Sequence, residues 1–321
     1  MTTDLYREAS REELELVTAR VLGDRLLSAR LLSGGLFNTT YLAETEEHGT
    51  AVLRLGPVNR HLLLPYEHFL MEAEVEVYRL CALRGIPASE VLASDTSKQV
   101  IDRDVMFVRY IPSSPLSEVE SSLTPDERDA VLGDLGRAMR AFNGIEGLRF
   151  GRIADVLHGG GSDCWSGALA KELDEWESVC RPTGLIPLRQ YDRFRAAFER
   201  AKPLLDEVKT PRLLHNDLWS GNVLLSADGD GKRRFAAIID ADRAIWGDPD
   251  MEVFWLGRDA DAFREAYGET PASPGSGVRR AFYRMLTHLW AAYIYGLEYQ
   301  SPDVAENERK RADEACGEIL G

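Results

Sequence analysis

One segment, residues 213–240, constrains the fold most strongly because it places three polar side chains between short apolar runs. The sequence reads LLHNDLWSGNVLL over residues 213–225 and AAIID over residues 236–240. Asp217 and Asn222 lie in the polar loop, and Asp240 ends the last apolar run. Apolar runs of this length beside turns predict β-strands, which would hold the three side chains rigidly. The pattern therefore favours an active site over a surface loop.

The residue types in this segment suit phosphoryl transfer. A carboxylate beside an acceptor hydroxyl can orient that group and take its proton, and we predict this catalytic role for Asp217. Mg²⁺ prefers hard oxygen ligands, which Asn222 and Asp240 can supply together with phosphate oxygens. The spacing from Asp217 to Asn222 matches the catalytic loop of protein kinases. The predicted cofactors are therefore ATP and Mg²⁺.

Two further acidic residues follow Asp240. Strand alternation would place Asp242 on the same side as Asp240, where either a metal role or a salt bridge with an arginine is possible. Asp248 precedes Pro249 and is expected to cap the helix that begins there.

The motif HNDLWSGNVLL, followed by IIDADRAIWGDP, resembles the aminoglycoside phosphotransferases and their relatives, which include the fructosamine and choline kinases. The resemblance covers roughly residues 25–260. It implies that Asp217 is the catalytic base, that Asn222 and Asp240 are metal ligands, and that His215 is a structural residue that braces the loop. It also implies an α+β, bilobal protein-kinase-like fold.

The resemblance extends to the glycine-containing segment between the first two predicted strands. Ser33, Gly34, Gly35 and Asn38 lie in a segment similar to the nucleotide-covering loop of the family. Because Gly34 and Gly35 have no side chain, backbone amides there can approach phosphate groups closely. These four residues are predicted to bind the nucleotide.

Four other residues are assigned to the nucleotide by the same resemblance. Arg54 occupies the position where most family members have a phosphate-binding lysine, and Glu74 would be its partner on a helix. Arginine keeps the charge but binds phosphate with a different geometry. Residues 106–112 resemble the hinge between the lobes, where the backbone of Arg109 and Ile111 would bind adenine.

The apolar pattern divides the chain into a strand-rich part and a helical part. Five strands are predicted in the first part, at residues 26–32, 39–44, 51–55, 91–93 and 105–111. Helices are predicted at residues 10–22, 66–84, 188–205, 250–267, 277–299 and 302–320, with others beginning near residues 124 and 165. We therefore expect an antiparallel nucleotide-binding lobe, residues 1–111, and a mainly helical catalytic and substrate-binding lobe, residues 112–321.

Composition excludes several classes of partner. A net charge of −15 argues against nucleic acid as a partner and permits a cationic small substrate. We expect no membrane segment and a cytoplasmic location, because no apolar run reaches the roughly 20 residues of a spanning helix and the polar N-terminus resembles no signal peptide. The four widely spaced cysteines predict neither a zinc site nor a disulfide framework.

The sequence leaves the acceptor open. The first hypothesis is an aminoglycoside or another hydroxyl-bearing antibiotic, whose phosphorylation would give resistance. The alternatives are a metabolic kinase of a ketoamine, sugar or amino alcohol, and a nucleotide-binding pseudokinase. The oligomeric state is not encoded in any recognisable motif.

Overall fold

The computed structural model describes residues 5–32, 37–227, 229, 231–252, 260–268 and 273–321 of the 321-residue chain. The described residues form two compact units. The first combines parts of residues 1–142, 215–244 and 255–268, and the second combines parts of residues 143–214, 245–254 and 269–321. Because these units are groups of mutually contacting residues rather than lobes, the lobe boundary between residues 111 and 112 stays a prediction.

Eleven strands occur among the described residues. They are β1 (Leu26–Leu31), β2 (Thr39–Thr45), β3 (Gly49–Leu55), β4 (Val91–Asp95), β5 (Val105–Arg109), β6 (Ser114–Pro115), β7 (Gly151–Arg152), β8 (Arg212–Leu214), β9 (Val223–Ala227), β10 (Arg233–Ile238) and β11 (Ile245–Gly247).

The same residues contain eleven α-helices. They are α1 (Arg11–Val17), α2 (Leu70–Arg84), α3 (Leu116–Val119), α4 (Pro125–Phe142), α5 (Ile153–Leu157), α6 (Trp165–Cys180), α7 (Leu188–Leu205), α8 (Pro249–Glu252), α9 (Asp261–Tyr267), α10 (Ser276–Tyr293) and α11 (Pro302–Leu320). The helix predicted over residues 250–267 is present at its two ends as α8 and α9, and residues 253–259 lie outside the described part.

The five predicted strands of the first unit form one antiparallel sheet in the order β1-β2-β3-β5-β4. Alternating side chains of β2 and β3 enter the core of this unit, among them Tyr41, Ala43, Ala51 and Leu53. The opposite face of β3 carries Arg54, which is half-buried. The apolar alternation thus fixes which side of the sheet this arginine occupies.

Local signals set the ends of the helices in this unit. Ser10 caps α1, and its hydroxyl and the Glu13 carboxylate complete the predicted capping box. Gly85 ends α2 in the left-handed conformation, with φ of 65°. A tight helical turn, Pro65–Phe69, precedes α2 and brings Tyr66 and Glu67 into the unit.

A small sheet in the order β10-β9-β6 holds the catalytic segment. The β9–β10 hairpin is antiparallel, and both strands bury alternate apolar side chains such as Val223, Leu225 and Ile238. The polar loop that begins at His215 leads into β9, and Asp240 follows β10. The predicted arrangement of strands around the polar residues is therefore present.

The second unit is mainly helical and contains the three-stranded sheet β7-β11-β8. Trp165 and Trp176 of α6 are fully buried in it. Asp248 accepts a hydrogen bond from the Asp250 amide at 3.1 Å, as predicted for the cap of α8. Its carboxylate also contacts Arg279 and Tyr283 at 3.0 and 2.7 Å. No helix of the described residues is long and apolar enough to cross a membrane.

Candidate active site

Arg54 links the sheet of the first unit to two carboxylates. Its guanidinium group forms a short ion pair with Glu74 of α2 and a second one, of 2.6 Å, with Asp240. Glu74 is completely buried and also accepts a hydrogen bond from the Tyr78 hydroxyl, one helical turn further along, at 2.6 Å. The predicted Arg54–Glu74 pair is therefore present, and it extends to the predicted metal ligand.

Asp240 sits in a constrained backbone position. Its φ of 63° is left-handed, which is uncommon for a residue with a side chain and marks the sharp exit from β10. The Asp240 amide donates a hydrogen bond to the Tyr78 hydroxyl at 2.9 Å. Burial opposes ionisation of the carboxyl group, but the facing Arg54 guanidinium outweighs this effect and lowers the pKa of Asp240.

Hydrogen bonds fasten the catalytic loop to the segment that carries Asp240. The His215 ring Nε2 contacts the Ile239 carbonyl oxygen at 2.9 Å, and burial lowers the pKa of His215 to about 4. A neutral ring must therefore donate from Nε2. The Asn216 side-chain amide donates to the Arg243 carbonyl oxygen at 3.2 Å. His215 thus makes the bracing contact that the family resemblance implies.

Asp217 and Asn222 lie beside each other at the two ends of this loop. The Asn222 side-chain nitrogen donates to the Asp217 carbonyl oxygen at 2.8 Å, and the Ile239 amide donates to the Asn222 carbonyl oxygen at 3.0 Å. This orientation turns the amide nitrogen of Asn222 toward Asp217 and leaves the side-chain oxygen as the possible metal ligand. With the Asp240 carboxylate, the donor set is made of hard oxygen atoms and fits Mg²⁺.

The electrostatic surroundings of Asp217 include a cation that the sequence did not identify. Burial raises the pKa of Asp217 to about 6, while the positive charge of Arg243 acts in the opposite direction. The Arg243 guanidinium also contacts the Tyr66 hydroxyl at 3.4 Å and lies 4.0 Å from Glu67. Only its position three residues after Asp240 could have drawn attention to it.

Asp242 is the second acidic group near Asp240, and its side chain is buried, with 8% exposure. Ligand oxygens of Glu74, Asp240 and Asp242 lie within 4.8 Å of one another. Burial, Asp240 and Glu74 all raise the pKa of Asp242. The positive charges of Arg243 and Arg54 act on this pKa in the opposite direction, so both roles suggested by the sequence stay predictions.

The structure narrows the predicted contacts of adenine with the hinge. The Arg109 amide already donates to the Glu90 carbonyl oxygen at 2.9 Å, and the Arg109 side chain forms an exposed ion pair with Glu90. The Ile111 carbonyl oxygen accepts a hydrogen bond from the Ser113 hydroxyl at 2.8 Å. The Arg109 amide and the Ile111 carbonyl oxygen thus already have hydrogen-bond partners, and adenine binding by this segment stays a prediction.

The predicted nucleotide-covering loop is only partly described. Ser33, Gly34 and Gly35 lie outside the described residues, whereas Asn38 is half-buried and immediately precedes β2. The next residue, Thr39, accepts a hydrogen bond from the buried Arg103 guanidinium at 2.7 Å. Arg103 also donates to carbonyl oxygens of Leu55 and Gly56, so it ties the start of β2 to the end of β3.

Comparison with known proteins identifies the family. The model of the phosphotransferase enzyme family, APH, matches residues 28–282, which is more than half of the chain. The chain belongs to this family. The predicted family and the predicted enzyme class, a small-molecule kinase, are thereby confirmed.

Curated relatives of this phosphotransferase are named as a protein-ribulosamine 3-kinase and a probable ketoamine kinase. The chain is 33% identical over 115 residues to a chloroplastic protein-ribulosamine 3-kinase of Oryza sativa subsp. indica, a match that covers 35% of this chain and 32% of that relative. It is 26% identical over 245 residues to a probable ketoamine kinase of Vibrio parahaemolyticus, a match that covers 72% of this chain and 77% of that relative. The chain thus matches about a third of the length of the first relative.

A solved structure of APH(2")-IIia with GDP and kanamycin resembles this phosphotransferase with a TM-score of 0.66. The two chains are 15% identical, and the match covers 96% of this chain and 99% of the other. At this identity the likeness shows the fold alone. It confirms the predicted α+β, bilobal protein-kinase-like fold class.

Proposed function

We propose that this phosphotransferase transfers the γ-phosphoryl group of ATP to a hydroxyl group of a small molecule, with Mg²⁺ as the metal. The observation that carries the proposal is the convergence of four side chains from distant parts of the sequence. Arg54 contacts Asp240, and Asn222 contacts Asp217. The amide of Ile239, next to Asp240, donates a hydrogen bond to Asn222 and so joins these two pairs. Family membership supports the reaction class.

Each side chain has a separate part in the proposed reaction. Asp217 accepts the proton of the acceptor hydroxyl and keeps that group oriented toward the phosphoryl group. Asn222 and Asp240 would hold Mg²⁺, which supplies positive charge to the phosphate oxygens when bound. Arg54 provides a further positive charge, and its contact with Asp240 places it beside the metal ligand.

The hinge and the glycine-containing loop would position the nucleotide. The Arg109 carbonyl oxygen is an acceptor and the Ile111 amide is a donor, which complements the amino group and ring nitrogen of adenine. Ser33, Gly34, Gly35 and Asn38 remain predicted phosphate contacts. Catalysis by this set is mainly positioning and electrostatic stabilisation.

The names of the curated relatives favour a ketoamine as the acceptor. Protein-ribulosamine and ketoamine kinases match the chain in sequence, whereas the kanamycin-bound structure shares only the fold. An antibiotic acceptor, the first hypothesis from the sequence, is the second candidate, and the net charge of −15 favours a basic acceptor in either class.

An exposed aromatic ring lies close to the proposed base in sequence. Trp219 follows Asp217 by two residues and is 54% exposed. A side-chain Cβ at Gly221 would lie 2.3 Å from the Trp219 ring, so the ring lies against this glycine. Because both candidate acceptor classes carry amines, the face of the indole ring can attract the acceptor through a cation–π interaction.

An ADP-release assay of the purified chain with ATP and Mg²⁺ tests the proposal. The acceptor panel contains ketoamines, sugars, amino alcohols, aminoglycosides and macrolides. We expect ADP release with a ketoamine. If an antibiotic is phosphorylated instead, expression of the chain should also protect a susceptible host against that antibiotic. If none of the acceptors on the panel causes ADP release, the pseudokinase alternative is favoured.

Variants at three of the four positions test the assigned roles. Asp217→Ala should lower turnover by roughly 100-fold or more while ATP affinity is largely kept, because only proton transfer and acceptor orientation are lost. Asp163→Ala, at a highly exposed carboxylate, is the control. Asn222→Ala and Asp240→Ala should raise the Mg²⁺ requirement or end activity. Unchanged turnover in Asp217→Ala would remove this residue from the base role.

A further inference from the structure

Tyr78 is a buried residue that connects two groups of the active site. It lies one helical turn after Glu74 on α2, and the short helical turn Ala241–Arg243, which follows Asp240, packs against this helix. All of these residues belong to the first unit. The roles proposed above for the reaction do not include Tyr78.

The hydroxyl group of Tyr78 makes two hydrogen bonds whose directions are fixed. The Asp240 amide can only donate, and it contacts the hydroxyl oxygen at 2.9 Å. The single proton of the hydroxyl is therefore donated to the Glu74 carboxylate, whose Oε1 lies 2.6 Å away. Burial and the negative charge of Glu74 raise the pKa of Tyr78 well above its ordinary value, so the hydroxyl keeps this proton.

The backbone of Asp240 requires support from its surroundings. Its φ of 63° is a left-handed conformation, which a residue with a side chain keeps only where neighbouring groups enforce it. The Asp240 amide contacts a buried hydroxyl group, whereas the Asp240 carboxylate is 38% exposed. Because the backbone conformation sets the direction of the Cα–Cβ bond, a contact that holds the amide also orients the carboxylate.

The contact from Tyr78 differs in kind from the one that Arg54 makes. Arg54 binds a carboxylate oxygen of Asp240, which is the atom type that a metal ion also binds. The hydrogen bond to Tyr78 uses the backbone amide and therefore does not compete with a metal for the carboxylate.

We propose that Tyr78 is a positioning residue for the metal site, whose hydroxyl group holds the backbone of Asp240 and links it to Glu74 of α2. The inference rests on the proposed function in its use of Asp240 as a metal ligand. Groups that orient a metal ligand in this way affect metal affinity without touching the metal.

Tyr41 offers a matched control in the same unit. It is a buried tyrosine whose hydroxyl group also accepts a hydrogen bond from a backbone amide, that of Ala9, at 2.8 Å. It pairs with Leu53 across β2 and β3, whereas Arg54 is on the opposite face of the sheet. Tyr41→Phe and Tyr78→Phe therefore remove the same chemical group and the same type of contact with a backbone amide.

Binding of Mn²⁺ to the full chain in the presence of ADP tests the role, with free Mn²⁺ measured by electron paramagnetic resonance. We expect Mn²⁺ to bind Tyr78→Phe about fivefold more weakly than wild type, which is the typical effect of one lost hydrogen bond. Hydrogen–deuterium exchange of residues 236–244 should also become faster in this variant. Tyr41→Phe should leave both measurements unchanged.

Three results would overturn the positioning role. They are equal Mn²⁺ affinity of wild type and Tyr78→Phe, an equal loss of affinity in Tyr41→Phe, and a wild-type chain that binds no Mn²⁺ in the presence of ADP. The first result would leave Tyr78 with a role in stability alone, whatever the exchange of residues 236–244. If Tyr78→Phe fails to fold, as judged by circular dichroism, Tyr78→Met is measured in its place with the same expectation.

The outcome is separable from that of the proposed function. A chain that transfers no phosphoryl group, but whose Mn²⁺ affinity falls in Tyr78→Phe, would end the proposed function and keep the positioning role. A chain that transfers phosphoryl groups while Tyr78→Phe binds Mn²⁺ normally would end the positioning role alone.

Discussion

Asp217 combines a raised pKa with an adjacent positive charge. Burial disfavours the charged form more than Arg243 favours it, and the resulting pKa is about 6. A base must be deprotonated to act, so kcat/KM should fall as pH decreases through about 6, by about tenfold per pH unit at the acid end. The measurement is the pH profile of kcat/KM between pH 5 and 8.

Arg243 supplies the control for this profile. Replacement Arg243→Gln removes the charge that opposes the rise in the pKa of Asp217, so the acid limb should move to higher pH. A flat profile in the wild type, or an identical limb in both proteins, would contradict the electrostatic account.

His215 makes stability depend on pH. Its pKa is about 4 in the folded chain, below the ordinary value of 6.5, so the unfolded chain binds the proton more tightly. The contribution of the neutral ring is fully present above pH 6.5 and is lost as pH falls toward 4. We expect wild type to lose about 2 kcal/mol more unfolding free energy than His215→Gln between pH 7.5 and pH 5. Urea denaturation at both pH values provides the test, and equal losses would exclude this role.

At the scale of elements, the packing of α4 against α9 depends on a glycine. A Cβ at Gly136 would lie 2.7 Å from the Phe263 carbonyl oxygen, which is backbone and cannot move aside easily. Gly136→Ala should therefore lower the melting temperature despite the better helix propensity of alanine, with a cost of about 1–3 kcal/mol.

Gly133, one turn earlier on α4, is the matched control. A Cβ there meets its nearest neighbours at 3.7 and 3.8 Å, an ordinary contact distance. Gly133→Ala should stabilise the chain by about 0.5–1 kcal/mol through helix propensity. If calorimetry shows the same sign for both variants, close packing of α4 on α9 is not the cause.

Most elements were predictable because their signals are local. Strands β2 and β3 alternate between buried and half-buried residues, Ser10 and Glu13 cap α1, and Gly85 ends α2, so these boundaries are encoded within a few residues. The ends of α2 and β5 differ from prediction. A tight turn replaces the first residues of the predicted helix, and β5 ends at Arg109 rather than Ile111.

For the whole molecule, the net charge of −15 affects the encounter with a cationic acceptor. Salt screens charges beyond about 8 Å at physiological ionic strength. Raising NaCl from about 0.05 to 0.5 M should lower kcat/KM several-fold for a basic acceptor and leave it nearly constant for a neutral sugar. Equal salt dependence for both acceptors would show that the net charge does not guide the substrate.

The sequence by itself determined the family and the enzyme class, and it predicted the residues proposed to carry the reaction, because these polar groups follow short apolar runs at a fixed spacing. Only the tertiary structure decided how these groups combine. Arg54 bridges Glu74 and Asp240, Arg243 lies near Asp217, and Asp242 is buried beside Glu74 and Asp240. Arg54 and Asp240 are 186 residues apart, and no local signal specifies which distant charges face each other when the chain folds.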